Sequence, residues 1–321
     1  MKFLDLFCGA GGFSYGFSRF ADDTHLAIDL DSSALETYKL NYPKAQVLQT
    51  DIHELHSLQI EEMLGGPPDI IIASPPCEEF SKANPTSKRP AAERIYGEGT
   101  ARLLIDTIRI IGDLSPRVFL IENVAAVLHA GGDRIILREF ERVGIDTLFF
   151  NMIRAHHHGN PSKRLRVFIS NMKLNLPRKK APTVMESIGD LPDLGIDSLF
   201  SPDVRSPNHL IYPLSEDRMK AICRTRWGQG ARHFRASKTK TLPNWVRLFP
   251  DRLSTSINGL SRYVHPYENR ILTVREHARL MSYPDSFIFV GTIDSQYNQV
   301  GESVPPLISQ LTAQEVGTYI G

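Results

Sequence analysis

"KFLDLFCGAGGFSYGFSRF", residues 2–20, decides how the rest of the chain is read. KFLDLF (2–7) reads as a buried strand, CGAGG carries Gly9, Gly11 and Gly12 in a loop, and FSYGFSRF reads as a helix. A strand, a glycine loop and a helix in that order let a backbone pass close to a nucleotide-like ligand. Ser14 stands where the third glycine of a dinucleotide fingerprint belongs, so that fingerprint is incomplete. Asp5, just before the loop, is placed to pair with an ammonium group, and Asp29, closing the next strand, to grip ribose hydroxyls. A carboxylate beside the loop repels a pyrophosphate but suits S-adenosylmethionine, which carries an amino acid and no phosphate. NAD and a tight turn with solvated acids are the competing readings of the loop by itself.

The same rhythm continues. HLAIDL (25–30), AQVLQTD (45–51), DIIIASPP (69–76), RVFLIEN (117–123), TLFFNMIRA (147–155) and RVFISNM (166–172) read as strands. Helical spacing recurs in SSALETYKLNY, in TARLLIDTIRIIGDL (100–114) and in DRIILREFERVG (133–144). Alternating strands and helices predict an α/β domain with a mainly parallel sheet. Ligands of such sheets sit beyond the carboxyl ends of the strands, where Asp5, Asp29, Asp51, Cys77 and Glu122 fall. After about residue 173 Pro, Ser, Asn and Arg become frequent. Order returns near 270 with LTVREHARLM, where Thr273 and Glu276 form a capping-box pattern, and with a last helix opened by proline, PPLISQLTAQEVGTYI. The expected organisation is one α/β domain from 1–172 and 270–321, with a smaller irregular insert at 173–269.

Of the 321 residues, 37 are Lys or Arg and 36 Asp or Glu, so bulk charge names no partner. Its distribution does: residues 163–180 hold seven basic residues and no acid, and residues 218–252 hold ten against Asp251 alone. Such patches suit a polyanion or form a solvated face. Three cysteines with no CxxC pairing argue against a disulfide framework or zinc site and fit a reducing compartment. No apolar run is long enough to span a bilayer, and a soluble, cytoplasmic protein is expected. Three adjacent histidines, 156–158, alternate sides on an extended chain, so at most two face one ligand and no metal is expected there.

SPPCEEFS (74–81) puts Cys77 after two prolines at a strand end. As a nucleophile it needs a donor acting on the same substrate. Glu122, in ENV (122–124), ends a strand expected beside it, and Arg164 and Arg166 of SKRLRVF (162–168) alternate onto one side of another. Together these pieces resemble one family, the DNA (cytosine-5) methyltransferases. DLFCGAGG (5–12) resembles its S-adenosylmethionine loop, PPCEEFS (75–81) its nucleophile motif, ENV its glutamate motif and RLRVF its arginine strand. RILTVREHARLMSYPDSF (270–287) and GESVPP (301–306) are similar to its two closing motifs. The order is the family's, and residues 173–268 lie where the family keeps its target-recognition domain.

The resemblance implies the methyltransferase version of the Rossmann-like fold and a specific chemistry. Cys77 would attack C6 of a flipped-out cytosine while Glu122 donates to N3. Arg166 would hold O2, Arg164 would support that strand, and C5 would take the methyl group. Asp29 would hold the cofactor's ribose, Asp51 and Ile52 its adenine, and Phe7 and Leu30 would pack on the adenine ring. Pro75, Glu302 and Ser303 complete the implied cofactor set. Residues 81–99 resemble the family's mobile loop, whose Lys82, Lys88, Arg89 and Arg94 would meet phosphates. Duplex DNA is the implied substrate, bound by a monomer at a short site, with a cognate restriction endonuclease as a further partner. The family's transfer-RNA branch and a silent DNA-binding module are the rival functions.

Three positions depart from the family pattern: Ser162 replaces a glutamine, Ser74 a glycine and Glu302 an asparagine. The last would repel the cofactor's own carboxylate unless it is protonated, paired or turned away.

Overall fold

The apolar runs become neighbouring strands. The computed structural model describes residues 1–20, 24–76, 78–80, 90–194, 206–237 and 240–321. Within it β1 (Phe3–Leu6), β2 (His25–Asp29), β3 (Gln46–Gln49), β4 (Ile70–Ala73) and β5 (Val118–Val124) pair in parallel. β6 (Phe149–Arg154) and β7 (Leu165–Ser170) complete a seven-stranded sheet of order β3-β2-β1-β4-β5-β7-β6, with β7 antiparallel to both neighbours. Ile70, Ile71 and Ile72 are fully buried, as expected of a strand covered on both faces.

Strand order reverses at β1, which has β2 on one side and β4 on the other. At such a switch point the crossovers leave in opposite directions and open a crevice beyond the carboxyl ends. The loop after β1 (7–12) and the turn after β4 (74–76) border it.

Successive residues of β1 face opposite ways. Leu4 and Leu6 join a core with Ile60 and Leu64 of α3 (Ser57–Leu64), Ile108 and Ile111 of α5 (Leu103–Leu114), and Ile136 and Phe140 of α6 (Gly132–Arg142). On the other face Phe3 stacks on Phe17 of α1 (Ser14–Phe17), ring centroids 5.8 Å apart. α2 (Ser32–Asn41) begins at Asp31, whose side chain accepts from the Ser33 and Ala34 amides.

α1 is shorter than FSYGFSRF suggested and continues as a 3-10 turn, Ser18–Phe20. A further helix, α4 (Ala91–Ile95), occupies part of the stretch expected to be a mobile loop. Ala91 and Ile95 are fully buried, and Arg94, expected at phosphates, is buried with its guanidinium 4.7 Å above the Phe80 ring. Residues 81–89, with Lys82, Lys88 and Arg89, lie outside the described residues.

The chain divides into two compact units: Met1–Arg154, Leu165–Pro177 and Ile308–Gly321 form the first, and Ala155–Arg164 and Arg178–Leu307 the second. These cuts differ from the functional boundaries expected at 172 and 270, since residues 270–307 group with the insert.

The second unit holds α7 (Val184–Ile188), α8 (Glu216–Cys223), α9 (Val274–Leu280), α10 (Ile293–Glu302) and a sheet of β8 (Gly230–Ser237), β9 (Lys240–Arg247) and β10 (Tyr263–Val264). The insert is thus more regular than its composition suggested. Arg247, one of the basic residues expected on a surface, is buried at the centre of this arrangement. Its guanidinium donates to the Ile222, Thr225, His265 and Glu268 carbonyls and to Asn269 Oδ1, over 2.7–3.0 Å. The Thr273–Glu276 capping box forms as expected, and Arg270 grips the Glu276 carboxylate at 2.7 and 2.8 Å.

In α11 (Pro306–Ile320), which belongs to the first unit from Ile308, Ser309 meets the glycine-loop helix. Its Oγ accepts from the Gly16 amide at 2.9 Å and donates to the Phe13 carbonyl. A Cβ on Gly16 would sit 2.3 Å from the Ser309 carbonyl oxygen, so only glycine allows this approach.

Candidate active site

In the first unit the glycine loop is held in shape by its neighbours. Gly9 donates to Asp29 Oδ2 at 2.7 Å, and Asp31 donates to Asp29 Oδ1 at 2.9 Å. Each Asp29 oxygen keeps a lone pair for another donor. Burial raises the Asp29 carboxyl above its usual range, against the pull of these amides. Gly11 has φ +95°, and a Cβ there would lie 2.4 Å from the Tyr42 ring, so the loop tolerates no side chain at that point. Gly12 is buried beside it.

Asp5 lies deeper than its sequence position implied, with no exposed surface. Its Oδ2 accepts from Ser14 at 2.5 Å, Ser14 meets Tyr38 Oη, and Tyr38 meets His25 Nε2. Asp5 Oδ1 has no hydrogen-bond partner among the described residues. Burial pushes this carboxyl well up, Ser14 opposes that, and Asp29 adds to it. Burial likewise pushes His25 down to about 4. Ser14, which breaks the dinucleotide fingerprint, is therefore the residue that ties down Asp5.

Three features of this crevice fit an adenosyl ligand with an amino-acid tail. Leu30, just past β2, is 64% exposed, an apolar face open beside a polar loop. Phe7 is half-buried in a left-handed conformation, φ +58°. Asp51 accepts from the His53 amide at 2.9 Å, and Ile52 is packed into the core.

On the next strands the register creates a charged pair. Glu122 lies opposite Phe168 and Arg166 opposite Val124, making the two residues diagonal neighbours on one face. Arg166 Nε is 2.9 Å from Glu122 Oε1, with side-chain exposures of 14% and 8%. Asn123, which sequence reasoning quoted but did not use, donates from Nδ2 to the Pro75 carbonyl at 3.2 Å. It ties the end of β5 to the turn after β4, two residues before Cys77. A polar amide directly after a strand-end acid was the available signal. Cys77 itself lies outside the described residues.

Arg164, Glu302 and Ser303 belong to the second unit. Arg164 is buried, and its guanidinium donates to the Ile257 carbonyl at 2.9 Å and the Gly301 carbonyl at 3.1 Å. It thereby holds the GESVPP turn from below, while Arg166 goes to Glu122. Glu302 ends α10, exposed and turned against Gly259, whose Cβ would lie 2.3 Å from Glu302 Oε1. Ser303 Oγ donates to the Val300 carbonyl at 2.8 Å. His156 and His157 stand edge to face, 4.5 Å between centroids. No cluster of three metal-ligating side chains occurs among the described residues, and no helix there is long and apolar enough to cross a membrane.

The chain is similar to known proteins over nearly its whole length. A Methanocaldococcus jannaschii chain described as a candidate type II methyltransferase, M.MjaORF1200P, is 35% identical and aligns over 98% of both chains. The type II methyltransferase M1.HphI of Haemophilus parahaemolyticus is 31% identical over 98% of this chain and 86% of its own. Among solved structures, a candidate DNA modification methyltransferase from an E. coli prophage superposes with a TM-score of 0.77 at 21% identity, covering 100% of this chain and 99% of that one. The S. pombe Dnmt2 methyltransferase superposes with a TM-score of 0.60 at 18% identity, covering 99% of each. These two likenesses establish a shared fold. The model of one enzyme family, C-5 cytosine-specific DNA methylase, matches residues 1–318. The chain belongs to that family and is a DNA (cytosine-5) methyltransferase.

Proposed function

We propose that the chain methylates C5 of a flipped-out cytosine in a short duplex DNA sequence, through a covalent bond between Cys77 and C6. The observation that supports this most directly is the Glu122–Arg166 pair at 2.9 Å, joined through Asn123 to the turn that leads into Cys77.

Cytosine C5 is a poor nucleophile until electrons are pushed into the ring. The Cys77 thiolate attacks C6, and Glu122 delivers a proton to N3, so the ring becomes an enamine. Arg166 faces O2, where negative charge develops, and its pairing with Glu122 fixes both groups beforehand. S-adenosylmethionine supplies the methyl group as an electrophile when bound. Asp29 would hold its ribose, Phe7 and Leu30 its adenine, Asp51 and Ile52 the edge of that ring, and the backbone of Gly9, Gly11 and Gly12 its tail. Loss of the C5 proton to a base, release of the thiolate from C6 and return of the N3 proton to Glu122 then restore aromatic 5-methylcytosine.

Asp5 acts through Ser14 and Tyr38 to stiffen the loop instead of touching the ligand. Pro75 shapes the wall of the crevice within the first unit, while in the second unit the Glu302 carboxylate is turned against Gly259. Residues 173–269 serve as the target-recognition domain of a monomer on DNA. The type II names of the relatives favour a cognate restriction endonuclease.

Nucleoside mass spectrometry tests this in a host without its own cytosine-5 methylation. Expression should place 5-methylcytosine in DNA, and Cys77→Ser should abolish it. A signal confined to RNA would assign the chain to the transfer-RNA branch instead.

A further inference from the structure

Within the second unit three segments distant in sequence are stitched into one frame. Lys179 donates its amide to the His157 carbonyl at 2.9 Å, and Lys163 donates to the Ser254 carbonyl at 2.9 Å. Ser254 returns an amide to the Pro161 carbonyl at 3.0 Å, and Val184 donates to the Arg252 carbonyl at 2.9 Å. The frame encloses an open basin of about 690 Å³. Lys163, Arg178, Lys179, Lys180 and Arg252 line it, and Asp251 is the one carboxylate among its lining residues.

All five cations are exposed, and none forms a salt bridge with a described residue. Lys180 adds a weaker pull on Glu186, whose proton affinity is lowered first by its Thr183 bonds. Two of the five are held in place. Arg252 lies 4.0 Å over the Phe249 ring, and the Lys179 stem runs past Gly159, where a Cβ would approach to 3.2 Å. Five like charges around one basin repel each other, and a single small anion would neutralise only part of them. A run of adjacent phosphodiesters matches both the charge and the openness.

We propose that this basin is a phosphate clamp, binding two or three consecutive backbone phosphates of the DNA duplex independently of base sequence. The inference rests on the DNA reading above. Lys163 is three residues from Arg166 in the chain, so the clamp would set the register of the backbone from the segment that carries a catalytic arginine.

The test is the salt dependence of binding to a duplex lacking the target sequence, followed by fluorescence anisotropy. The neutralised variant Arg178→Gln/Lys180→Gln/Arg252→Gln leaves Lys163 and Lys179 in the frame. Each phosphate contact contributes ~0.9 to the slope of log K against log salt, so the variant's slope should be shallower by roughly 2–3. Its affinity deficit should accordingly shrink by about 40-fold between 50 and 200 mM salt when three contacts are lost. The charge-conserving variant Arg178→Lys/Lys180→Arg/Arg252→Lys should regain the wild-type slope, which a folding defect would not allow. Adduct formation on duplex DNA carrying 5-fluorocytosine at the target separates the two levels of inference. If the wild type forms the adduct and the neutralised variant keeps the wild-type slope, the clamp is refuted and the DNA reading stands. If the wild type neither binds nor traps DNA, the underlying reading itself fails.

Discussion

Replacing Glu122 by Gln keeps volume and one hydrogen-bond acceptor but removes the carboxyl that, protonated, serves N3 and, ionised, balances Arg166. At 2.9 Å and an effective dielectric of ~20 the gross attraction of the pair is on the order of 5 kcal/mol. Desolvation of two mostly buried groups takes back much of it, leaving a coupling of ~1–3 kcal/mol. General acid catalysis contributes ~10²–10⁴-fold, so Glu122→Gln should slow methyl transfer by at least ~100-fold. Arg166→Ala, removing a charge that faces O2, should cost ~10²–10³-fold. The double variant should be less impaired than the product of the two losses, by a factor matching the coupling. Single-turnover transfer of a radiolabelled methyl group to duplex DNA measures all three, with urea unfolding as the control for stability. Strictly multiplicative losses would show that the residues act separately, and a Glu122→Gln enzyme within tenfold of wild type would refute its role as proton donor.

Asn123→Ala should leave the Pro75 carbonyl without its side-chain donor and slow adduct formation at Cys77 by ~10–100-fold, with cofactor affinity unchanged; an equal loss of cofactor binding would contradict a role confined to that turn. Gly16→Ala forces its Cβ and the Ser309 carbonyl apart by at least 0.7 Å from the 2.3 Å approach, and should destabilise the protein by ~1–3 kcal/mol in urea unfolding. His25 and His277 are buried and pushed down to about 4 from an ordinary 6.5, so the unfolded chain binds more protons between those values. Their contribution is complete above pH 6.5 and lost as pH falls toward 4, about 3 kcal/mol for each. Thermal unfolding across that range should show the loss, and His25→Gln/His277→Gln should flatten the profile.

The sheet was legible because its strands are short apolar runs that need no tertiary information: Ile70–Ala73 can hardly be anything but a buried strand. The strands of the insert were not legible, since GARHFRAS and KTLPNWVR alternate little and Arg247 is buried on hydrogen bonds alone. α4 was hidden because only Ala91 and Ile95 mark its inner face, while Arg94 is buried by an aromatic ring that sequence does not place beside it. In the sheet, Asp29 closes β2 and Glu122 lies near the end of β5, the positions that the apolar runs predicted, and Arg166 lies near the start of β7. The burial of Asp5 was not legible: the alternation of β1 turns that carboxylate inward, toward Ser14. The different roles expected of Arg164 and Arg166 go with different partners, main-chain carbonyls for the first and a carboxylate for the second.

Arg247 bears on how such a protein can change its target. All five of its N–H groups are used, and four of the five acceptors are main-chain oxygens, with Asn269 the exception. The carbonyls themselves set no demand on side-chain identity, but Ile222 and His265 are buried and Glu268 pairs with Arg270, so Thr225 is the freest of the four to vary. Inserting or deleting a residue within 222–225 or 265–269 would pull an acceptor away from a buried cation. Changes of length in this unit should therefore be confined to stretches outside those two segments.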